Sequence, residues 1–497
     1  MRSLIEAWLA ATCPFDQVRR FHFPRAYSLL TSANDEFRRH VDASTGSGKL
    51  TAKSAFGHPR GLYVLAGTEL WERFSYYGMT ALLVLYMVKQ LLLPSHAVHV
   101  LGLAPLRQLF EMRGPMPDQA FASLVYGWYA GLVYFTPLLG GLLADRLLGA
   151  RRTVMIGAVL MSLGHLAMSF DQTFLIALVL LIAGSGCLKG NISAQVAPLY
   201  PPGDDSRRDR GFTIFSTGIN IGAVIGPLAT GALAQAYGWH AGFACAAVLM
   251  LIALVTYTLG RSQLPEPKPR RAEDSAPKVP LDAAEKRRVR MLVLLILINV
   301  PIAVAYYQIT NVGLIWIDEA VGLQNRWFTV PASWFGALDS FASIVAAVPL
   351  IALWAAQARI GSEPGSLTKV IIGALINGLA SLLLVAGILL TPAGAKTSVL
   401  WPIGCWVAMG FAFMYYWPTT LALVAGNAPD RFRSTLMGGV FLALFLGNTT
   451  LGWVGSFYSQ MTPAQFWTLN AAIGLSGAFA GIVLLRPMQR ALAIERS

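Results

Sequence analysis

Charge is what this sequence has least of. Of its 497 residues 13% are Asp, Glu, Lys or Arg while 55% are hydrophobic, and the mean hydropathy is +0.55. Such a balance excludes a solvated disordered chain and an ordinary water-soluble domain, and it marks an integral membrane protein. Acidic residues are the scarcer sign, 25 against 38 basic ones, for a formal charge of +13. The basic residues lie between apolar runs rather than in one basic domain, which argues against a nucleic-acid partner. Cysteine is scarce too: Cys13, Cys187, Cys245 and Cys405 are scattered without a CxxC pair, so neither a disulfide framework nor a zinc site is expected. A nucleophile elbow and HExxH are absent. The stretch Ala43-Ser-Thr-Gly46-Ser-Gly48-Lys49-Leu50 lacks the first glycine of a phosphate loop and the Ser/Thr after its lysine. The chain is therefore read as no enzyme, with no metal and no cofactor.

What is present is a series of apolar runs, each long enough to cross roughly 30 Å of hydrocarbon. Twelve spans are predicted, at about 61–88, 122–147, 152–170, 173–200, 211–235, 238–260, 291–316, 333–356, 367–391, 398–426, 434–459 and 464–486. Residues 1–55 read as a polar extension, flexible and cytoplasmic, with neither a span nor a secretory signal. Positive charge gathers on one side of the spans, at Arg146/Arg151/Arg152, Arg207/Arg208/Arg210, the 261–290 connection, Arg359/Lys369, Arg431/Arg433 and the tail 491–497. The positive-inside rule then puts both termini in the cytoplasm, for a monomer in the inner membrane. Residues 261–290, with five prolines among mixed charges, read as a cytoplasmic linker between two six-helix bundles, 56–260 and 291–490. This is the architecture of the major facilitator fold, in which substrate binds between the halves.

Three charges interrupt the first span. Glu69, Glu72, Arg73, Tyr76, Tyr77 and Thr80 follow i, i+3, i+4 spacing and share one helical face. Each buried charge costs at least ~2.5–3.5 kcal/mol on insertion scales, so the set needs a partner or a use. A static ion pair is one account of that face, and a charged transport pathway is the other. Lys189 is a lone cation in the fourth span, flanked by glycines, and its cheapest partner is a carboxylate from the first. Between spans two and three, Gly140-Gly141-Leu-Leu-Ala-Asp145-Arg146-Leu-Leu-Gly149-Ala-Arg151-Arg152 matches the gating loop of that superfamily. Asp145 there is expected to pair with arginines and cap a neighbouring helix. His165, in the third span, reads as a packed and hydrogen-bonded side chain without a role.

Glu69-Leu-Trp-Glu72-Arg73-Phe74-Ser-Tyr76-Tyr77-Gly78 resembles the ExxERFxYYG signature of the proton-dependent oligopeptide transporters. Leu132-Val-Tyr134-Phe-Thr-Pro137, Gly184-Ser-Gly186-Cys-Leu-Lys189-Gly-Asn191-Ile-Ser193 and Phe215-Ser-Thr-Gly-Ile219-Asn220-Ile-Gly222 are similar to further motifs of that family, over roughly residues 56–487. The resemblance implies a proton-coupled symporter of di- or tripeptides working by alternating access. Glu69, Glu72, Arg73 and Lys189 would couple the proton, while Tyr76, Tyr77, Tyr134 and Asn220 would line the solute site. Asp145, Arg146, Arg151 and Arg152 would form the gating loop.

The second half departs from the family. Its gate arginine and seventh-helix glutamate fall at Thr80 and Tyr307, and its tenth-helix glutamate falls at Phe413, in Phe413-Met-Tyr415-Tyr416-Trp417-Pro418. Losing both gate charges together avoids stranding one of them. The eighth helix gains an acid, Asp339, expected either to anchor a substrate amine or to partner Lys189, unless it is merely solvated at a helix mouth. Tyr306, Tyr307, Tyr415, Tyr416, Trp417 and Trp334 are the candidates for an aromatic wall. A peptide or peptide-like molecule is the leading solute. Another small organic solute on the same scaffold, or a membrane sensor that binds without transporting, are the alternatives.

Overall fold

The computed structural model describes residues 54–265 and 282–492. The extension before Ser54, with Cys13 and the 43–50 stretch, the centre of the linker and the last five residues lie outside them. Twelve helices of 18 or more residues account for most of the described chain. The first half holds α1 (Arg60–Tyr86), α2 (Asp118–Leu143), α3 (Ala150–Ala167), α4 (Phe174–Ala194), α5 (Asp205–Tyr237) and α6 (Trp239–Gly260). The second holds α7 (Ala283–Tyr307), α8 (Leu338–Arg359), α9 (Ser366–Leu390), α10 (Leu400–Asn427), α11 (Arg433–Gly455) and α12 (Pro463–Leu492). A two-residue strand pair, Ser54–Ala55 with His58–Pro59, precedes α1. Ten of the twelve helices are long and apolar enough to cross a membrane; the others are α1, with its three charges, and α3, which opens on two arginines.

Two of the expected boundaries move. Helix α7 starts at Ala283, inside the stretch read as linker, because Asp282 and Glu285 form a reciprocal capping box: the Glu285 amide donates to Asp282 at 2.6 Å and the Asp282 amide to Glu285 at 3.1 Å. The seventh span is not one helix either. It breaks at Gln308–Thr310 and resumes as Val312–Ala320. The Gln308 amide donates to the Leu451 carbonyl at 3.1 Å, and Asn311 accepts from Ser123 at 3.1 Å, so side-chain bonds satisfy the broken backbone's surroundings.

Helix α1 packs on α5 and α6, α2 and α3 on α4, α7 on α11 and α12, and α9 and α8 on α10. The halves meet along α2 with α11, and along α5 with the turn that opens α8. At Gly127 of α2, a Cβ would stand 2.5 Å from Gly452 Cα of α11, so only glycine permits that approach.

The end of the molecule away from the linker is sealed by bonds between the halves. Gln119 donates to the Gly455 carbonyl (3.1 Å), Tyr126 to Thr310 (2.9 Å), Trp334 to the Leu228 carbonyl (2.9 Å) and Gln235 to the Thr329 carbonyl (2.7 Å). Lys89, just beyond α1, forms an ion pair with Asp318. At the linker end, Arg151 donates to the Arg261 carbonyl and Arg431 to Glu285 at 3.1 Å.

Candidate solute and proton site

The face predicted on α1 forms. Glu69, Glu72 and Arg73 are all buried; Arg73 Nε lies 3.0 Å from Glu69 one turn away and also pairs with its neighbour Glu72. Arg73 holds both carboxylates, yet the set is only half satisfied. The ion pairs aside, Glu69 Oε2, both Glu72 oxygens, Arg73 Nε and Arg73 Nη2 make no hydrogen bond among the described residues. Groups left so in a buried place are costly and are found where a proton or a ligand completes them.

Lys189 corrects one expectation, a carboxylate partner from the first helix. It lies on α4, five residues before the end of that helix at Ala194, and its ammonium forms no ion pair among the described residues. It stands instead over two tyrosine faces, 4.1 Å from the Tyr76 ring centre and 5.2 Å from that of Tyr134. Tyr76 also packs edge-on to Tyr77, at 5.3 Å. Gly186 and Gly140 let α4 come this close to α2: a Cβ on Gly140 would meet the Gly186 carbonyl at 2.0 Å. Asn191 fastens the same contact, donating to the Gly140 carbonyl at 3.1 Å.

Opposite this cluster stands Tyr307, whose hydroxyl meets that of Tyr134 at 3.3 Å across the halves. Thr80 does not reach it; its hydroxyl donates to the Tyr76 carbonyl of its own helix at 2.9 Å. Asp339 is buried rather than solvated, and accepts the Tyr306 hydroxyl at 2.7 Å. The Lys189 partnership proposed for it does not form. Trp417 is half-buried and lies nearly parallel to Phe413, with ring centres 6.4 Å apart. Asn220 is exposed on α5 and its side chain bonds to nothing among the described residues. Two candidates leave the aromatic wall: Tyr415 packs against Trp354, at 5.3 Å, and Trp334 belongs to the far seal. His165 is fully buried, but neither ring nitrogen is hydrogen-bonded among the described residues, contrary to expectation.

In the loop after α2, Asp145, Arg146 and Arg152 are exposed. Asp145 makes no ion pair among the described residues, and α3, preceded by Gly149, has no side-chain cap at its start, so the cap expected of Asp145 is absent. Sequence reasoning missed the seal: Lys89, Asp318, Ser123, Tyr126, Thr310 and Asn311 carried no motif. The polar run Gln308-Ile-Thr-Asn311 in an otherwise apolar span was the one available signal.

Residues 73–450, more than half of the chain, match the profile of the Major Facilitator Superfamily. The chain is 29% identical to a di-/tripeptide transporter of Lactococcus lactis subsp. cremoris, over 88% of this chain and 96% of that protein. It is equally 29% identical, over the same shares, to a peptide transporter of Yersinia enterocolitica. A crystal structure of a peptide transporter POT variant with alafosfalin superposes with a TM-score of 0.77 at 25% identity, covering 90% of this chain and 98% of the other. A POT family transporter bound to 5-aminolevulinic acid gives 0.75 at 24%, covering 88% and 98%, a likeness of fold. With the twelve-helix architecture and the α1 and α4 motifs in place, the chain belongs to the Major Facilitator Superfamily as a multi-pass membrane transporter of the POT family.

Proposed function

We propose that this transporter imports a di- or tripeptide, or a peptide-like solute, together with protons by alternating access. It works as a monomer in the inner membrane with both termini cytoplasmic. The observation that carries the reading is the buried Glu69/Glu72/Arg73 set, with Lys189 held on tyrosine faces beside it. With all four ionised their charges cancel. A proton on Glu69 or Glu72 leaves two cations facing one anion, and in a low-dielectric place that excess favours release of a cation toward the solute path. A solute carboxylate then finds Lys189 or Arg73 available. Asp339 offers the opposite pole on the second half, and Tyr76, Tyr77, Tyr134, Tyr307, Asn220 and Trp417 border the path between the poles. The seal at the far end supports a conformation open toward the linker. Rocking of the halves about the α2–α11 and α5–α8 seams would exchange which end is closed.

The direct test is uptake of a labelled dipeptide into proteoliposomes with and without an inward proton gradient. Gradient-driven accumulation is expected, and Glu72→Gln and Lys189→Ala should each remove it while leaving folding intact. A correctly folded protein that moves no dipeptide under either condition would refute peptide transport. A different small organic solute is the second reading, favoured by one observation: Phe413 stands where an amine-binding glutamate is expected.

A further inference from the structure

At the linker end of the first half, α3 and α6 flank a cavity of about 550 Å³. Its charged lining is all basic: Arg151 and Arg152 open α3, and Arg261 follows the last turn of α6, with Ser262 beside it. No carboxylate lines it among the described residues. Arg151 is half-buried and donates to the Arg261 carbonyl, which sets a cation on the negative end of α6. Arg152 and Arg261 are exposed. Helix α3 begins without a side-chain cap, so its positive end adds to the same field.

The rest of the cavity is apolar. Leu148, Met155 and Ile156 form one wall, and the Thr258 hydroxyl donates to the Met155 sulfur at 3.5 Å where the helices close one turn deeper. Two exposed apolar ridges run on from there, away from the linker end. Ile156, Val159 and Leu163 make the ridge of α3, and Leu259, Val255 and Ile252 that of α6. A soluble anion would use the arginines and leave both ridges in contact with nothing of its own. A phospholipid uses both, with its phosphate among the arginines and its acyl chains along the ridges. A zwitterionic headgroup would also bring an ammonium, and the cavity has no carboxylate to receive it. We infer that this cavity binds the headgroup of an anionic phospholipid, with Arg152 and Arg261 on its phosphate and the α3 and α6 ridges along its chains. In the orientation proposed above, that lipid belongs to the cytoplasmic leaflet, the anionic one.

Native mass spectrometry of the purified full-length protein tests this, with phosphatidylglycerol and phosphatidylcholine of identical acyl chains in competition. The first lipid bound should favour phosphatidylglycerol by about tenfold or more, since each basic residue at an anionic surface contributes about fivefold. Arg152→Gln and Arg261→Gln, made one at a time, should each lower that preference by about fivefold. Arg359→Gln removes an exposed charge at the linker end of α8, outside the cavity, and should leave the preference within about twofold. Ile156→Ser should weaken both lipids alike and keep the preference, as expected of a contact with acyl chains. Inorganic phosphate at millimolar concentration should not displace the bound phosphatidylglycerol. A wild type that takes the two lipids equally would overturn the inference. So would a loss from Arg359→Gln as large as that from Arg152→Gln, which would make the preference one of overall surface charge. Displacement by inorganic phosphate would mark a site for free anions and overturn the lipid assignment.

Discussion

Tyr134 and Tyr307 make the innermost bond between the halves, and at 3.3 Å it joins two neutral hydroxyls. A bond of this kind contributes about 0.5–1.5 kcal/mol net, because water would satisfy both groups if they parted. Tyr134→Phe and Tyr307→Phe should each lower the unfolding free energy by about 1 kcal/mol. The double variant should lose no more than either single one, since one bond can be removed only once. Additive losses in denaturant unfolding would show that the hydroxyls act separately. At the linker end, His58 is bonded to the Tyr200 hydroxyl at 2.8 Å. Burial, then the charges of Arg207 and Arg210, hold its imidazole below the ordinary value of 6.5. The folded chain therefore binds a proton at His58 less readily than the unfolded chain, so stability is lost as pH falls below 6.5. His58→Gln should flatten that part of the melting-temperature profile between pH 7.5 and 5.5 by about a degree or two. An unchanged acid slope would exclude His58 as its source.

At the scale of elements, the α2–α11 seam depends on side chains being absent. A Cβ at Gly127 would meet backbone of Gly452 at 2.5 Å, which cannot give way as a flexible side chain would. Gly127→Ala should therefore cost about 1–3 kcal/mol as the helices separate. Gly426, in α10, has open space around its missing Cβ, so Gly426→Ala should be neutral or stabilising by up to about 1 kcal/mol through helix propensity. Equal effects on thermal unfolding would sink the steric argument. The comparison also shows what a sequence can reveal. The shared face of Glu69, Glu72, Arg73 and Tyr76 was legible because helical periodicity is local and charge in an apolar run is conspicuous. Gly127 and Gly426 look alike as letters; one touches a residue more than three hundred positions away and the other touches nothing. The break in α7 was lost for a related reason, since Gln308 and Asn311 are stabilised by Leu451 and Ser123, partners no local pattern could supply. Lys189 was recognised as a functional cation, but its seat on Tyr76 and Tyr134 needed the approach of three helices.

For the whole molecule, the question is what keeps the far end shut. The Lys89–Asp318 pair is the most visible contact there, on the wall of a cavity of about 190 Å³ that also touches Gln235, Thr329 and Ser333. Lys89 is 45% exposed, and an ion pair so open to solvent contributes about 0.2–1 kcal/mol. It cannot hold two six-helix bundles together unaided. The buried bond of Ser123 to Asn311 and the part-buried bond of Tyr126 to Thr310, with the glycine seam behind them, hold most of the closed end, and the ion pair adjusts its population. Lys89→Ala should therefore loosen the seal only modestly. A cysteine at Ser333, which is buried behind the pair, reports this in a background whose native cysteines are replaced. Its labelling by a membrane-impermeant thiol reagent should rise about 2–5-fold in Lys89→Ala, the population shift that up to 1 kcal/mol allows. High salt should raise wild-type labelling toward the same level by screening the pair. Exchanging the charges, Lys89→Asp with Asp318→Lys, should restore slow labelling. A hundredfold rise from Lys89→Ala alone would make the ion pair the main lock and the buried bonds secondary. No rise in either Lys89→Ala or high salt would place the whole closure in the buried bonds and the helix seam.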